Sequence, residues 1–278
     1  MRVPRGARWP GLRPAQPIGV FDSGVGGLTV LRALREAMPE ERLLYLGDTA
    51  RVPYGSKSRE AVTRFSVEIG RFLEARGVKL LVVACNTASA LALTALKAAL
   101  KVPVVGVVQP AVRAAVRATR TGVIGLIGTE ATVASGAYQK AAGRLSSRAK
   151  IVAQACPLLV PLVEEGWWTH AVTGRVAAVY LRPFRSSRRD VLILGCTHYP
   201  LLRPLLQRLS GPGVQLIDSG EETAREVEAL LEADGLRRTG GRGGETFFVT
   251  DGPERFRLLA KRFLGRVSSP VRLVRFPS

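Results

Sequence analysis

Nine short apolar runs recur along this chain of 278 residues, and they constrain its fold more than any other feature. The runs are rich in Val, Ile and Leu and do not alternate with polar residues, which is typical of strands covered on both faces. They are Ile18–Phe21, Leu43–Leu46, Leu80–Ala84, Val104–Val108, Val123–Ile127, Ile151–Ala153, Val191–Leu194, Val214–Ile217 and Phe247–Val249. Segments of helical composition lie between them, most clearly Ala88–Leu100 and Glu221–Glu232. We therefore predict an α/β protein with mainly parallel sheets flanked by helices.

Two stretches of the chain resemble each other where an apolar run ends in a cysteine. Val82–Thr87 (VVACNT) parallels Leu192–Thr197 (LILGCT), and a helical segment follows each cysteine. Ile18–Gly24 (IGVFDSG) resembles Val123–Thr129 (VIGLIGT) in a similar way. A repeat period above a hundred residues indicates duplicated domains rather than a solenoid. We therefore predict two similar α/β lobes that face each other.

The predicted domains are a discontinuous first lobe and a continuous second lobe. We assign residues 18–107 and 213–270 to the first lobe, and residues 108–212 to the second. Residues 1–17 carry arginines without an apolar stretch behind them, so we expect a flexible basic tail and not a secretory signal. No apolar run approaches the roughly 18 residues that span a bilayer. These features predict a cytoplasmic protein without a membrane partner.

The formal net charge of +19 is high, and most of it comes from arginines scattered along the chain. Such a charge is typical of proteins that attract nucleic acid or another acidic surface. However, no basic run is interleaved with aromatic residues. We therefore favour a solvated, arginine-rich surface over nucleic-acid binding. An anionic substrate fits either interpretation.

The chain has three cysteines, and this odd number argues against a disulfide framework. Cys85 and Cys196 each end a strand and precede a helix, whose N-terminal amides would lower the thiol pKa from about 8.5. A buried core cysteine is the alternative for each, but two matching joints favour function. His198 is placed to hold or share the proton of Cys196. Cys156 has no polar cluster after it and is predicted to be structural. Because close cysteine pairs are absent, we expect no metal site.

Polar residues also follow other predicted strands, where ligand sites of parallel α/β sheets gather. Asp22–Gly27 (DSGVGG) has glycines that let the backbone approach a ligand, but it lacks both GxGxxG and the P-loop lysine. Asp22 could cap the next helix, or reach toward a ligand amine or a catalytic thiol. Gly47–Gly55 (GDTARVPYG) and Thr129 occupy corresponding places after two further strands.

Seven motifs, in order from Ile18 to about Leu264, carry a family resemblance. They are FDSGVGGLTV, GDTARVPYGSKS, VVACNTAS, GVIGLIGTEATV, ACPLLVPLVEEG, LILGCTHYPLL and IDSGEETARE. Together they resemble the glutamate racemases, bacterial enzymes of the aspartate/glutamate racemase superfamily. The resemblance implies an active site in the cleft between two α/β lobes, and interconversion of L- and D-glutamate without cofactor or metal. It further implies supply of D-glutamate for peptidoglycan synthesis, and thus for cell-wall biogenesis and cell shape. We also expect a homodimer.

The resemblance implies a role for each of the two matching cysteines. The CNT motif places one catalytic cysteine at Cys85, which would remove the proton from D-glutamate. The CTH motif places the other at Cys196, which would remove it from L-glutamate. The chemistry agrees, because racemisation breaks a weakly acidic Cα–H bond and returns a proton on the opposite face. One sulfur must start as thiolate and the other as thiol, and the two exchange roles at each turnover.

Further residue roles are implied by the same resemblance. Asp22 and His198 resemble supporting catalytic groups, and Glu164 resembles a carboxylate near the second cysteine, with Glu165 as the alternative. The implied substrate contacts are Asp22, Ser23, Pro53, Tyr54, Gly55, Cys85, Asn86, Thr87, Thr129, Cys196, Thr197 and His198. Two other interpretations stay open. One is the same mechanism on another acid such as aspartate, and the other is a thiol redox protein, against which the absence of CxxC counts.

Overall fold

The computed structural model describes residues 9–265, 267 and 269–276, and it contains two sheets. The strands of the first sheet are β1 (Ile18–Asp22), β2 (Arg42–Gly47), β3 (Leu80–Val83), β4 (Val104–Gly106), β9 (Gly244–Val249) and β10 (Val271–Leu273). The strands of the second sheet are β5 (Val123–Gly128), β6 (Lys150–Ala155), β7 (Val191–Gly195) and β8 (Gln215–Asp218). All neighbouring strands are parallel, which confirms the predicted α/β class.

Helices cover both sheets. They are α1 (Leu28–Ala37), α2 (Arg59–Glu74), α3 (Asn86–Leu91), α4 (Leu93–Ala99), α5 (Val108–Ala118), α6 (Glu130–Ala134), α7 (Ala137–Leu145), α8 (Leu159–Glu164), α9 (Ala171–Leu181), α10 (Arg203–Ser210), α11 (Ser219–Ala233) and α12 (Pro253–Leu264). Every residue of β1, β3 and β7 is buried, which explains why these strands do not alternate in sequence. Along the part of the chain that the structure describes, no helix has the length and apolar character that crossing a membrane requires.

The two lobes repeat one strand topology. The spatial order is β10-β9-β2-β1-β3-β4 in the first sheet and β6-β5-β7-β8 in the second. The first four strands of each lobe therefore have the same arrangement, with the second strand beside the first, then the third and the fourth. This arrangement agrees with the sequence repeat, since it pairs β1 with β5 and β3 with β7. Cys85 and Cys196 consequently follow the third strand of their respective lobes.

The structure corrects three details of the predicted domains. The boundary at residue 213 is wrong, because β8 pairs with β7 in the second sheet. The chain returns to the first lobe only with α11, which packs against α1 as well as against α5. The strand β10 was not predicted; its three residues, one of them a charged and exposed Arg272, give too weak a pattern. The predicted helix Ala88–Leu100 bends at Ala92, which separates α3 from α4.

The predicted basic tail is only partly within the described residues. Residues 1–8 lie outside them, whereas residues 9–17 are held against the first lobe, contrary to the flexibility expected there. Trp9 and Leu12 pack on the apolar core. The buried ammonium of Lys79 donates a hydrogen bond to the Pro14 carbonyl at 2.8 Å. These contacts fix the segment before β1.

Candidate active site

The carboxyl ends of strands from both sheets meet at one cavity of about 430 Å³. This volume lies in the range typical of small-molecule sites, roughly 300–1,000 Å³. The first lobe lines it with Ser23, Gly24, Val52, Pro53, Tyr54, Gly55, Ser56, Cys85, Asn86 and Thr87. The second lobe lines it with Thr129, Glu130, Pro157, Val160, Pro161, Glu164, Cys196, Thr197 and His198. Every predicted substrate-contact residue therefore lines this cavity except Asp22.

Cys85 lies at the N-terminus of α3 on the first-lobe side of the cavity. Its sulfur accepts a hydrogen bond from the Ala88 amide at 3.4 Å and lies 3.7 Å from Ser23 Oγ. Burial and the charge of Asp22 nevertheless outweigh these two contacts and raise the pKa of Cys85 to about 12. The predicted lowering of this pKa is therefore wrong for the protein without ligand. The sequence shows the helix N-terminus but not the desolvation of the thiol.

Cys196 faces a histidine and a carboxylate on the second-lobe side. His198 Nδ1 lies 3.8 Å from Cys196 Sγ, and His198 Nε2 lies 3.0 Å from Glu164 Oε1. Burial alone would lower the pKa of His198, but its hydrogen bonds and charge contacts with Cys196 and Glu164 raise it to about 10. At neutral pH an imidazolium thus lies beside Cys196. Between the two candidate carboxylates, it is Glu164 that contacts His198, while Glu165 is exposed.

Asp22 lies behind the cavity wall and not in it. Its Oδ2 accepts a hydrogen bond from the Gly24 amide at 2.9 Å, and the carboxylate is almost fully buried. A Cβ on Gly27 would lie 2.4 Å from the Cβ of Asp22, so only glycine lets the turn close over this side chain. Burial raises the pKa of Asp22, against the charge of His198 and the amides of Gly24 and Gly27. The carboxylate acts on the cavity through its field.

A cluster of hydroxyl groups joins the two lobes at the opposite wall. Thr87 Oγ1 lies 2.9 Å from Thr129 Oγ1 and 3.2 Å from Thr132 Oγ1. Thr129 also caps α6, since its hydroxyl accepts the Thr132 amide hydrogen at 3.2 Å. These side chains present neutral donors to the cavity. Because they come from both lobes, their geometry depends on how the lobes are packed together.

A third contact between the lobes requires glycine. The hydroxyl of Thr29 donates to the Thr197 carbonyl at 2.8 Å, which holds the Cys196 loop against α1. A Cβ on Gly26 would lie 2.3 Å from Thr197 Oγ1 and 2.4 Å from His198 Cε1. The glycine-rich turn after β1 thus allows the catalytic histidine candidate to approach the first-lobe backbone.

The Tyr54 segment forms the rim of the cavity and is held from behind by Asp48. The carboxylate of Asp48 accepts hydrogen bonds from the Tyr54 hydroxyl, from Arg51 Nε at 2.8 Å and from Thr250 Oγ1 at 2.9 Å. Burial and the neighbouring carboxylate of Asp48 raise the pKa of Tyr54. The tyrosine is therefore a neutral hydrogen-bond donor that fixes the rim.

The comparisons with known proteins agree with this geometry. The sequence profile of the Asp/Glu/Hydantoin racemase family matches residues 19–227. A glutamate racemase of Geobacter metallireducens is 52% identical over 253 residues, which cover 91% of this chain and 94% of that protein. The chain belongs to the glutamate racemase family. It is therefore an isomerase of the racemase class, as the motifs indicated.

Solved structures of the glutamate racemase family have the same fold. A glutamate racemase isoform of Bacillus anthracis superposes with a TM-score of 0.92 at 41% identity, over 95% of this chain and 99% of that one. The Francisella tularensis glutamate racemase, solved in complex with D-glutamate, superposes with a TM-score of 0.88 at 34% identity. That match covers 94% of this chain and 98% of the other. The predicted pair of α/β lobes is thereby confirmed.

In this glutamate racemase family member, the sequence analysis missed two residues that support the cavity wall. The amide nitrogen of Asn86 donates to Tyr138 Oη at 2.7 Å and lies 3.5 Å from Ser219 Oγ. Ser219 lies in Ile217–Gly220 (IDSG), which repeats the letters of Phe21–Gly24 (FDSG), and that likeness could have indicated it. Tyr138 has no such signal. Within the described residues, no group of three or more His, Cys, Asp and Glu side chains is placed to hold a metal ion.

Proposed function

We propose that this chain interconverts L- and D-glutamate by proton transfer at Cα, with Cys85 and Cys196 acting from opposite faces of the substrate. One observation carries the proposal: the two thiols line a single cavity, and each ends the third strand of its own lobe. Racemisation requires two groups that exchange roles, and a duplicated lobe presents the same group twice. The reaction so written needs no cofactor.

The starting protonation state follows from the groups around each sulfur. The imidazolium of His198 stabilises negative charge on Cys196, whereas burial and Asp22 keep Cys85 protonated. In our proposal Cys196 removes the α-proton of L-glutamate, and the Cys85 thiol delivers a proton to the other face. The reverse reaction starts from the opposite state. There the ammonium group of bound D-glutamate offsets the charge of Asp22 and favours a Cys85 thiolate.

Neutral hydrogen-bond donors stabilise the carbanion-like transition state in this proposal. The amides of Asn86 and Thr87 are the first two of α3, and such amides have no carbonyl acceptor within their own helix. Hydroxyls of Thr87 and Thr129 lie next to them. Among the described lining residues there is no Lys or Arg, so preorganised dipoles must hold the substrate carboxylates. The buried Asn86 Oδ1, which has no partner within the described part of the chain, can accept from the substrate ammonium.

Glutamate is the proposed substrate because the relatives that cover nearly the whole chain are glutamate racemases, one of them solved with D-glutamate. We further propose that the enzyme acts in the cytoplasm and supplies D-glutamate to peptidoglycan synthesis, and so to the cell wall and cell shape. We also propose a homodimer. Light scattering on the purified protein tests that assembly, and a mass of one chain at working concentration would contradict it.

Circular dichroism with each enantiomer of glutamate and aspartate tests the proposed reaction. We expect both glutamate enantiomers to reach a racemic mixture, and aspartate to change far more slowly. Cys85→Ser and Cys196→Ser should each abolish racemisation, because an alcohol is a much weaker acid than a thiol. Cys156→Ser is the matched control, since Cys156 is buried in the apolar core and its thiol lies 3.6 Å from the Gln154 carbonyl. Near wild-type racemisation by the Cys85→Ser protein would overturn the two-cysteine mechanism.

A further inference from the structure

The second lobe carries an excess of positive charge that the cavity does not use. Residues 108–218 contain fourteen Lys and Arg residues but only five Asp and Glu residues. Four of the five carboxylates lie toward the carboxyl ends of the strands or beside the cavity: Glu130, Glu164, Glu165 and Asp218. At the amino ends of the strands, Asp190 is the one carboxylate in this range. The two ends of the second sheet therefore differ sharply in charge.

Asp190 is occupied by the backbone and by hydroxyl groups, and not by the neighbouring arginine side chains. It accepts hydrogen bonds from Thr119 Oγ1 at 2.6 Å, from the Arg120 amide at 2.6 Å and from the Thr121 amide at 3.1 Å. These bonds outweigh burial and lower the pKa of Asp190 to about 2. Its single charge is consumed in joining the loop before β5 to the loop before β7.

Five cations surround this junction, and together we name them the basic end: Arg120, Arg148, Lys150, Arg185 and Arg188. All five are exposed, and none forms an ion pair within the described residues. They lie on the loops before β5, β6 and β7, or on the first residue of β6. The Lys150 amide donates to the Gly122 carbonyl at 2.8 Å, which joins the loops before β5 and β6. Since adjacent strands are about 4.8 Å apart, these cations share one narrow surface.

Helix dipoles do not explain the basic end. Cations in the last turn of a helix stabilise it, and this accounts for Arg117 in α5 and Arg144 in α7. The five residues of the basic end lie beyond the ends of the α-helices. The first lobe gives a contrast, because at the same end of its sheet Lys79 pairs with Glu41 at 2.6 Å. Unpaired charge at this end is thus a property of the second lobe.

We propose that the basic end binds the phosphate backbone of double-stranded nucleic acid. Arg and Lys side chains, assisted by Ser and Thr hydroxyls, make most protein contacts to phosphates, and the same loops carry Thr121, Ser147 and Ser186. Leu145 is the one large apolar side chain exposed beside them among the described residues, so the surface lacks the anchors of a membrane-inserting face. The contacts come from loops and no helix is presented to a groove, so the binding is independent of base sequence.

The basic end and the cavity lie at opposite ends of the second sheet. Strand β5 runs from Val123, beside the basic end, to Gly128, which precedes Thr129 of the cavity wall. Six residues of strand span about 17–20 Å, so a bound duplex leaves the cleft open. Duplex binding and racemisation are therefore separable, and loss of one need not affect the other.

Fluorescence anisotropy with a labelled 30-base-pair duplex of mixed sequence tests the proposal. We expect binding at 50 mM salt that weakens steeply as salt increases, with a log–log slope of about −3 or steeper for three or more neutralised phosphates. The variant Arg148→Gln/Arg185→Gln/Arg188→Gln should bind about tenfold more weakly or worse and show a shallower slope. Its racemase activity and thermal unfolding should match those of the unmodified protein.

The matched control changes three exposed arginines of the first lobe that form no ion pair in the described residues: Arg42→Gln/Arg71→Gln/Arg272→Gln. It removes the same charge, so it should bind the duplex as the unmodified protein does. Equal loss in both triple variants would show that total charge acts and not this surface, and would overturn the proposal. Absence of duplex binding at 50 mM salt would overturn it too. So would binding to vesicles that contain phosphatidylserine without binding to the duplex.

Discussion

His198 Nε2 lies 3.0 Å from Glu164 Oε1, and this contact holds the imidazole beside the sulfur of Cys196. The carboxylate comes from the end of α8, and its own pKa is lowered, because the hydrogen bond and charge of His198 outweigh burial. The pair sets the charge on one side of the cavity. It therefore links protein stability and catalysis to the same proton.

Glu164→Gln should reduce racemisation by about tenfold to a hundredfold, because a neutral amide no longer favours the imidazolium beside Cys196. The histidine titrates near pH 10 in the folded protein and near 6.5 when unfolded. Its stabilising contribution is thus complete below pH 6.5 and is lost as the pH rises through about 10. We expect the Tm of the unmodified protein to fall over this window, and that of Glu164→Gln to fall less.

The neighbouring carboxylate provides the control for that experiment. Glu165 is exposed, and Glu165→Gln changes the charge by the same amount without touching His198. Its activity and its pH dependence of Tm should match those of the unmodified protein. Equal effects of both substitutions would show that the His198–Glu164 contact has no special role.

Single cysteine variants should exchange the α-hydrogen of only one enantiomer in deuterium oxide. In Cys85→Ser the remaining Cys196 reaches one face, so L-glutamate should gain deuterium without inversion while D-glutamate stays unlabelled. Cys196→Ser should show the reverse. Proton NMR of each enantiomer measures the label, and the unmodified protein should label both. Exchange of both enantiomers at similar rates by either variant would contradict the assignment of faces.

Gly26→Ala should impair both folding and catalysis, because its Cβ would lie 2.3 Å from Thr197 Oγ1 and 2.4 Å from His198 Cε1. We expect a loss of about 1–3 kcal/mol in the free energy of unfolding from overpacking. Racemisation should fall about tenfold or more, because displacement of His198 misplaces the reacting groups. Chemical denaturation and circular dichroism measure the two effects.

Gly143→Ala is the matched control for this substitution. Gly143 lies in α7, and a Cβ there would meet no heavy atom within 4 Å. Alanine should therefore leave activity unchanged and stabilise the helix by about 0.5–1 kcal/mol. If Gly26→Ala behaved like this control, the close approach of the two lobes at Gly26 would be refuted.

Lys79→Met should destabilise the protein by about 3–5 kcal/mol, because it leaves the buried carboxylate of Glu41 without its partner. The two side chains are fully buried and lie 2.6 Å apart. Lys79→Met/Glu41→Leu should recover part of the loss, since no unpaired charge then remains. Urea denaturation of the two variants measures the difference. A double variant less stable than Lys79→Met would contradict this account.

Several elements were predictable because their signals are local in sequence. Unbroken apolar runs identified the strands β1 to β9, since a strand covered on both faces needs no polar alternation. The small polar residues after β3 and β7 marked the joints at Cys85 and Cys196 for the same reason. Helix Glu221–Glu232 was predicted within α11, whose bounds are Ser219–Ala233.

Other features depended on contacts between residues distant in sequence. The apolar run Val214–Ile217 predicts a strand, but only its pairing with β7 assigns it to the second sheet. The letters of Glu164 and Glu165 are the same, and only the packing of α8 brings one of them to His198. Tyr138 supports Asn86 across 52 positions of sequence without any motif of its own.

The sequence by itself determined the α/β class, the repeated lobes, the family and the two cysteines at matching strand ends, because each depends on residue order over a few positions. The tertiary structure alone decided that Asp22 lies behind the cavity, that Cys85 is a protonated thiol and that the cations of the second lobe gather at one end. Burial and electrostatic fields sum over every neighbour in space, and a linear pattern does not contain those neighbours.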